Sequence, residues 1–110
     1  MISSDVIRGY TDLMILSILA KGDSYGYQLS KQIEAISDGK YSIKETTLYS
    51  AIARLEKNDH VTSYKGEGSG GTGRTYYSIT LLGETYLKEK EEEWELTKEV
   101  INRFSNREGK

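Results

Sequence analysis

Residues Ser42 to Gly83 read SIKETTLYSAIARLEKNDHVTSYKGEGSGGTGRTYYSITLLG, and this stretch decides the fold. Ser42 and Glu45 stand three apart, the spacing at which Ser and Glu side chains satisfy two orphan backbone donors reciprocally at a helix start. Leu48, Ile52 and Leu55 then recur at i, i+4 and i+7, one buried helical face. The other face carries Lys44, Thr46, Thr47, Tyr49 and Ser50 at its front. These are hydrogen-bonding groups suited to base edges and phosphates in a major groove. A helix that only had to be soluble would use Glu, Lys and Gln there, although a Thr pair also occurs as polar filler in a first turn. Two β-like segments follow, His60–Lys65 and Arg74–Thr80, in which side chains alternate. Between them five of the eight residues from Gly66 to Gly73 are glycine, the composition of a mobile hairpin tip. Helix, turn, strand, tip and strand make a helix-turn-helix unit with a β-wing. Lys65 and Arg74 flank the tip, where they are the natural phosphate or minor-groove contacts. A plain long hairpin with solvated charges is the competing reading.

Outward from this stretch, Asp5 to Ala20 reads as a first helix, with Val6, Ile7, Tyr10, Leu13, Met14, Leu16 and Ile18 on more than one face, so it should be largely buried. Asp23 or Ser24 caps a second helix bearing Tyr25, Leu29, Ile33 and Ile36. The decisive stretch then supplies a third helix, near Ile43 to Lys57. Thr80 caps a last helix from Leu81 to about Phe104, in which Leu87, Trp94 and Ile101 recur every seven residues and Phe104 extends the stripe. The rest of that helix is polar, with Lys88-Glu89-Lys90-Glu91-Glu92-Glu93 in a row. Its Trp needs cover, either from the first helix or from a second subunit, because an exposed stripe of this kind is an aggregation liability. The fold class is mainly α with a minor β part: a winged helix-turn-helix over residues 1–80 and a C-terminal dimerisation helix over 81–110, in one compact unit.

Composition bounds the function. A chain of 110 residues, 36% apolar, builds one small core, and oligomerisation would supplement it. The densest apolar run, Leu13 to Ala20, is too short to span a bilayer, and the start lacks the basic flank of a signal peptide. A cytoplasmic location without membrane contact is expected. With no cysteine there is no disulfide or thiolate metal site. A net charge of −2 looks wrong for a nucleic-acid binder, but the distribution matters more than the sum. From Lys44 to Gly83 five basic residues (Lys44, Arg54, Lys57, Lys65, Arg74) face four acids, whereas after Gly83 eight acids face six basic residues. The acidity sits mainly on the last helix. The tip contains Gly66-x-Gly68-x-x-Gly71, but a dinucleotide site needs a helix after it, and here a strand follows.

Assembled, these residues resemble the PadR family of bacterial transcriptional regulators, in particular its short members with one C-terminal dimerisation helix. The resemblance spans nearly the whole chain. It rests on Leu13-Met14-Ile15-Leu16, on Gly22 with Tyr25-Gly26-Tyr27-Gln28-Leu29, on Thr47-Leu48-Tyr49 with Arg54-Leu55-Glu56, on Gly73-Arg74-Thr75-Tyr76-Tyr77 and on Ile79-Thr80-Leu81-Leu82-Gly83. It implies a homodimeric repressor on a pseudo-palindromic double-stranded operator, often that of its own gene or of a neighbouring transporter or detoxification gene, and leaves room for release by a small aromatic effector at the dimer interface. The DNA-contact positions it implies are Ser24, Tyr25, Lys44, Thr46, Thr47, Tyr49, Ser50, Lys65 and Arg74, with Lys57 as a further basic group of the same unit. Leu13, Leu87, Trp94, Ile101 and Phe104 are the implied dimer or effector interface. Trp94 aligns with a tryptophan that stacks planar aromatic compounds in multidrug-sensing relatives. Lys90 and Glu91, one turn earlier, replace small or apolar groups and argue against that use. The chain also departs from the family in having no proline, with Asp23 and Ser50 at two usual proline positions, and in having Thr75 where a second basic residue is common.

Two other functions compete. A winged helix that binds protein would show apolar or acidic groups at the front of its third helix, unlike Lys44, Thr46, Thr47 and Tyr49. An enzyme would need a nucleophile–base or metal constellation. One histidine, His60, no cysteine and a solvated Glu91–Glu93 run offer none. No cofactor is expected.

Overall fold

The computed structural model describes residues 2–66 and 73–105. The glycine tip at 67–72, with its expected mobility, and residues 106–110 lie outside the described residues. The elements are α1 (Ser4–Ile7), a 3₁₀ turn (Arg8–Tyr10), α2 (Thr11–Leu19), β1 (Ser24–Tyr25), α3 (Gly26–Ile36), α4 (Glu45–Lys57), β2 (Val61–Lys65), β3 (Thr75–Ile79) and α5 (Leu81–Ser105). Three helices, α2 to α4, enclose a core on which an antiparallel sheet of order β1-β3-β2 rests, and α5 runs on from β3. This is the mainly helical winged helix-turn-helix architecture that the sequence predicts.

The expected first helix is broken. Arg8–Tyr10 winds as 3₁₀ and Tyr10 leaves helical geometry at φ −114°. Gly9 is a poor helix former, and the Thr11 hydroxyl donates to the Arg8 carbonyl at 3.2 Å, competing with regular helix bonding. The break leaves Val6 68% exposed rather than buried. Beyond it, α2 is central: Ile15 and Leu16 are fully enclosed among Leu29, Ile33, Leu48, Ile52 and Leu55.

Helix α3 starts at Gly26, not behind an Asp23 or Ser24 cap. Ser24 and Tyr25 are extended because they pair with Tyr77 and Tyr76 of β3, a third strand that two residues do not announce in sequence. The Ser42–Glu45 capping box is likewise not formed. Tyr41 and Ile43 are buried in the core, which turns the alternating Ser42 and Lys44 outward, and α4 begins at Glu45 without a side-chain cap. It ends at Lys57, and Asp59, at a φ of 63°, turns the chain toward β2.

The wing pairs Val61 with Ile79 through to Lys65 with Thr75, and Gly66 N–H donates to the Arg74 carbonyl at 2.8 Å. Thr80 caps α5 as expected, its Oγ1 accepting from Gly83 N–H at 2.9 Å. Leu87, placed by sequence in the dimer stripe, is instead 7% exposed within the core. It lies one turn after Gly83, where α5 presses on the helix–strand turn: a Cβ at Gly83 would run into the His60 carbonyl.

Candidate nucleic-acid interface

Packing of Leu48, Ile52 and Leu55 into the core turns the opposite side of α4 to solvent. There Thr46, Thr47, Tyr49, Ser50 and Lys57 are all exposed, with Lys44 at the helix start. Tyr49 does not swing freely. Its ring lies over Gly26, where a Cβ would overlap the phenol, so the α3–α4 approach is set by a glycine.

Tyr25, Gly26, Tyr27, Tyr49, Arg74, Thr75 and Tyr77 line one cleft of 420 Å³. The wing base and the polar face of α4 therefore open onto the same space. The Arg74 guanidinium lies 4.5 Å from the centre of the Tyr25 ring, a cation–π contact that holds it beside the start of α3. Lys65 donates to Thr75 Oγ1 at 2.9 Å, so Thr75, which replaces a second cation, orients an existing one. Tyr25, Tyr76 and Tyr64 form a row on one face of the sheet, with ring centres 5.4 Å and 5.8 Å apart. Tyr64 ends that row with a hydrogen bond to Asp23, which raises its pKa above the tyrosine norm.

Ser24 does not belong to this surface. It is 1% exposed, and its hydroxyl lies 2.7 Å from Gln28 Oε1 and 3.2 Å from Gln32 Oε1. Arg54, counted among the basic residues of this unit, is also spoken for: it pairs with Asp12 of α2.

A second concavity lies between the N-terminal turns and the far part of α5. Its 470 Å³ is lined by Ile2, Val6, Ile7, Leu13, Met14, Ile101 and the rings of Tyr10 and Trp94. The two rings meet edge to face at 5.1 Å, and Lys98 stands over Trp94. Trp94 remains 37% exposed, so the first helix covers it only in part. Lys90, expected one turn before the tryptophan, bonds Glu93 at 3.2 Å and lies over the Tyr86 ring instead of lining the groove. Phe104 stands outside the groove lining, exposed.

The side chains that sequence reasoning missed are Asp12 and Tyr86. Asp12 accepts from Arg54 and, at 3.0 Å, from the Tyr86 hydroxyl. Their separations along the chain, 42 and 74 residues, leave no local signal. No helix among the described residues is long and apolar enough to cross a membrane.

Comparison with known proteins agrees with this geometry. Residues 15–89 match the transcriptional regulator PadR-like family. The chain is 63% identical to a transcriptional regulator from Clostridium thermocellum, with a TM-score of 0.89 over 96% of this chain and 99% of that one. A PadR family transcription regulator from Clostridium difficile R20291 is 38% identical, with a TM-score of 0.73 over 86% of this chain and 97% of that one. The transcriptional regulator YqjI of Escherichia coli is 32% identical over 94 residues, which are 86% of this chain but 44% of YqjI. With a family match across the helices, wing and start of α5, and with close relatives of the same fold, the chain belongs to the PadR-like family of transcriptional regulators.

Proposed function

We propose that this regulator works as a homodimer that binds a pseudo-palindromic DNA operator and represses transcription from it. The observation that carries the reading is the shared cleft, where Tyr49 of α4 and Arg74 of the wing face one space. An α-helix fits the major groove, and a cation at the wing base beside it meets the adjoining backbone. Tyr49, Thr46, Thr47 and Ser50 read bases, while Arg74, Lys65, Lys44 and Lys57 hold phosphates. Tyr25 supports Arg74.

The groove at Trp94 supports the dimer. Trp94, Leu96, Val100, Ile101 and Phe104 leave the far half of α5 apolar and exposed, which a second copy of α5 would cover. A flat aromatic effector sharing this groove is a second reading, favoured by the Tyr10–Trp94 ring pair in a volume ordinary for small-molecule sites.

The test is titration onto the DNA upstream of the protein's own gene, at moderate salt with competitor DNA. Saturable binding to half-sites about one helical turn apart is expected. Tyr49→Ala should lose the preference for that site with the fold intact. Equal binding to site and competitor by the wild type would instead favour a protein-binding module.

A further inference from the structure

We infer that Asp12 and Tyr86 are positioning residues that fix the angle between the recognition helix α4 and the long helix α5, and so set the half-site spacing that the dimer accepts. The inference rests on the dimeric DNA-binding reading above.

Asp12 lies on α2, with its side chain 13% exposed. One carboxylate oxygen takes the Arg54 guanidinium from α4, and the other takes the Tyr86 hydroxyl from α5. A largely buried carboxylate needs such donors to satisfy its oxygens, and bonds of this charge-assisted kind are the stronger class. Tyr86 is held a second time: its ring stacks on His60 at 4.1 Å and 5°. His60 belongs to the turn between α4 and the wing, and its carbonyl accepts from Thr80 N–H at 3.1 Å at the foot of α5. The junction therefore joins α2, α4, α5 and the wing base.

Helices α4 and α5 share no extensive face of their own, whereas α2 packs against both. Their mutual angle is set through α2, and Asp12 is the polar pin at that crossing. In a dimer held together by α5, this angle determines how far apart the two α4 helices stand. A duplex offers half-sites only in steps of one base pair, so the angle becomes a choice of spacer.

Two measurements test this on the full chain. The first needs no DNA. The protein has no cysteine, so Ala53→Cys and Glu92→Cys, both at exposed positions, carry spin labels on α4 and α5. Dimers diluted with unlabelled chain give the distance within one subunit. A single narrow distribution is expected in the otherwise wild-type chain, and a broadened or shifted one after Tyr86→Phe or Asp12→Asn. Tyr86→Phe keeps the ring on His60 and removes only the bond to Asp12, so folding is preserved and melting curves verify it. The second measurement uses a duplex selected by the wild type from a random pool, together with copies whose spacer is one base pair shorter or longer. Wild type should discriminate among the three, and each variant should lose about tenfold of that discrimination.

Unchanged distance distributions in both variants would overturn the proposal whatever the DNA result. So would an equal loss of affinity at all three spacers, which marks a role in stability alone. If the wild type selects no duplex while the distributions respond as expected, the junction stands as the fixer of the angle and the operator reading falls.

Discussion

Gly26 owes its place to Tyr49. The phenol on α4 lies where a side chain at 26 would project, so any Cβ there pushes the polar face of α4 away from α3. Gly26→Ala should therefore cost about 1–3 kcal/mol, the usual range for forced overpacking, and urea denaturation would measure it. It should also weaken specific DNA binding more than Arg74→Ala weakens non-specific binding, because Tyr49 is displaced bodily. Gly83→Ala collides with the His60 backbone carbonyl as well as with the Ile79 side chain, so it has less room to relax and should be the more destabilising of the two. Ser24 carries the opposite lesson. Its type and place before a helix suit a cap or a phosphate contact, but which way a hydroxyl points depends on strand pairing with Tyr77, 53 residues along the chain. No local pattern contains that.

Among the elements, helix α4 was legible because Leu48, Ile52 and Leu55 repeat with the period of the helix itself. The wing strands and the Thr80 cap were legible for the same reason, as local geometry written in local residues. What was not legible depends on partners far away. Strand β1 exists only because β3 is there to pair with it. The Ser42–Glu45 box lost to the burial of Tyr41 and Ile43, since two buried side chains outweigh a surface cap worth about 1 kcal/mol. The charge count included Arg54 among the five basic residues from Lys44 to Gly83, but Asp12 pairs with it. The wing then depends on fewer cations, which sharpens one expectation. Arg74→Ala should lower affinity for all duplexes alike and reduce the slope of log affinity against log salt by about one, read from titrations at several salt concentrations.

The whole molecule measures 61 × 29 × 21 Å, elongated by an α5 of 25 residues. A helix of that length is about 37 Å long at 1.5 Å per residue, and only its first turns are buried in the subunit. Trp94→Ala should shift the sedimentation mass toward a single chain, and an unchanged mass would remove Trp94 from the dimer contact. Stability should also have an alkaline edge. Burial is the leading cause that raises the pKa of Tyr41, Tyr77 and Tyr86 above the usual 10.0, reinforced at Tyr86 by the Asp12 carboxylate. Raised values favour the protonated folded state. Their contribution is complete below pH 10 and is lost as pH rises through the folded values. Guanidinium midpoints should therefore hold near neutral pH and fall steeply above about pH 10, and a flat profile there would contradict the burial of these rings.

Trp94 is the one tryptophan among nine tyrosines, and it sits at the rim of the apolar groove against Tyr10 and Lys98. Light absorbed by any of the phenols can drain to this single indole, and red-edge excitation addresses it alone. The colour and yield of its emission therefore follow the polarity of one place. Whatever fills the groove, a second subunit or a flat aromatic compound, must announce itself optically, and the native chain serves as its own unlabelled sensor.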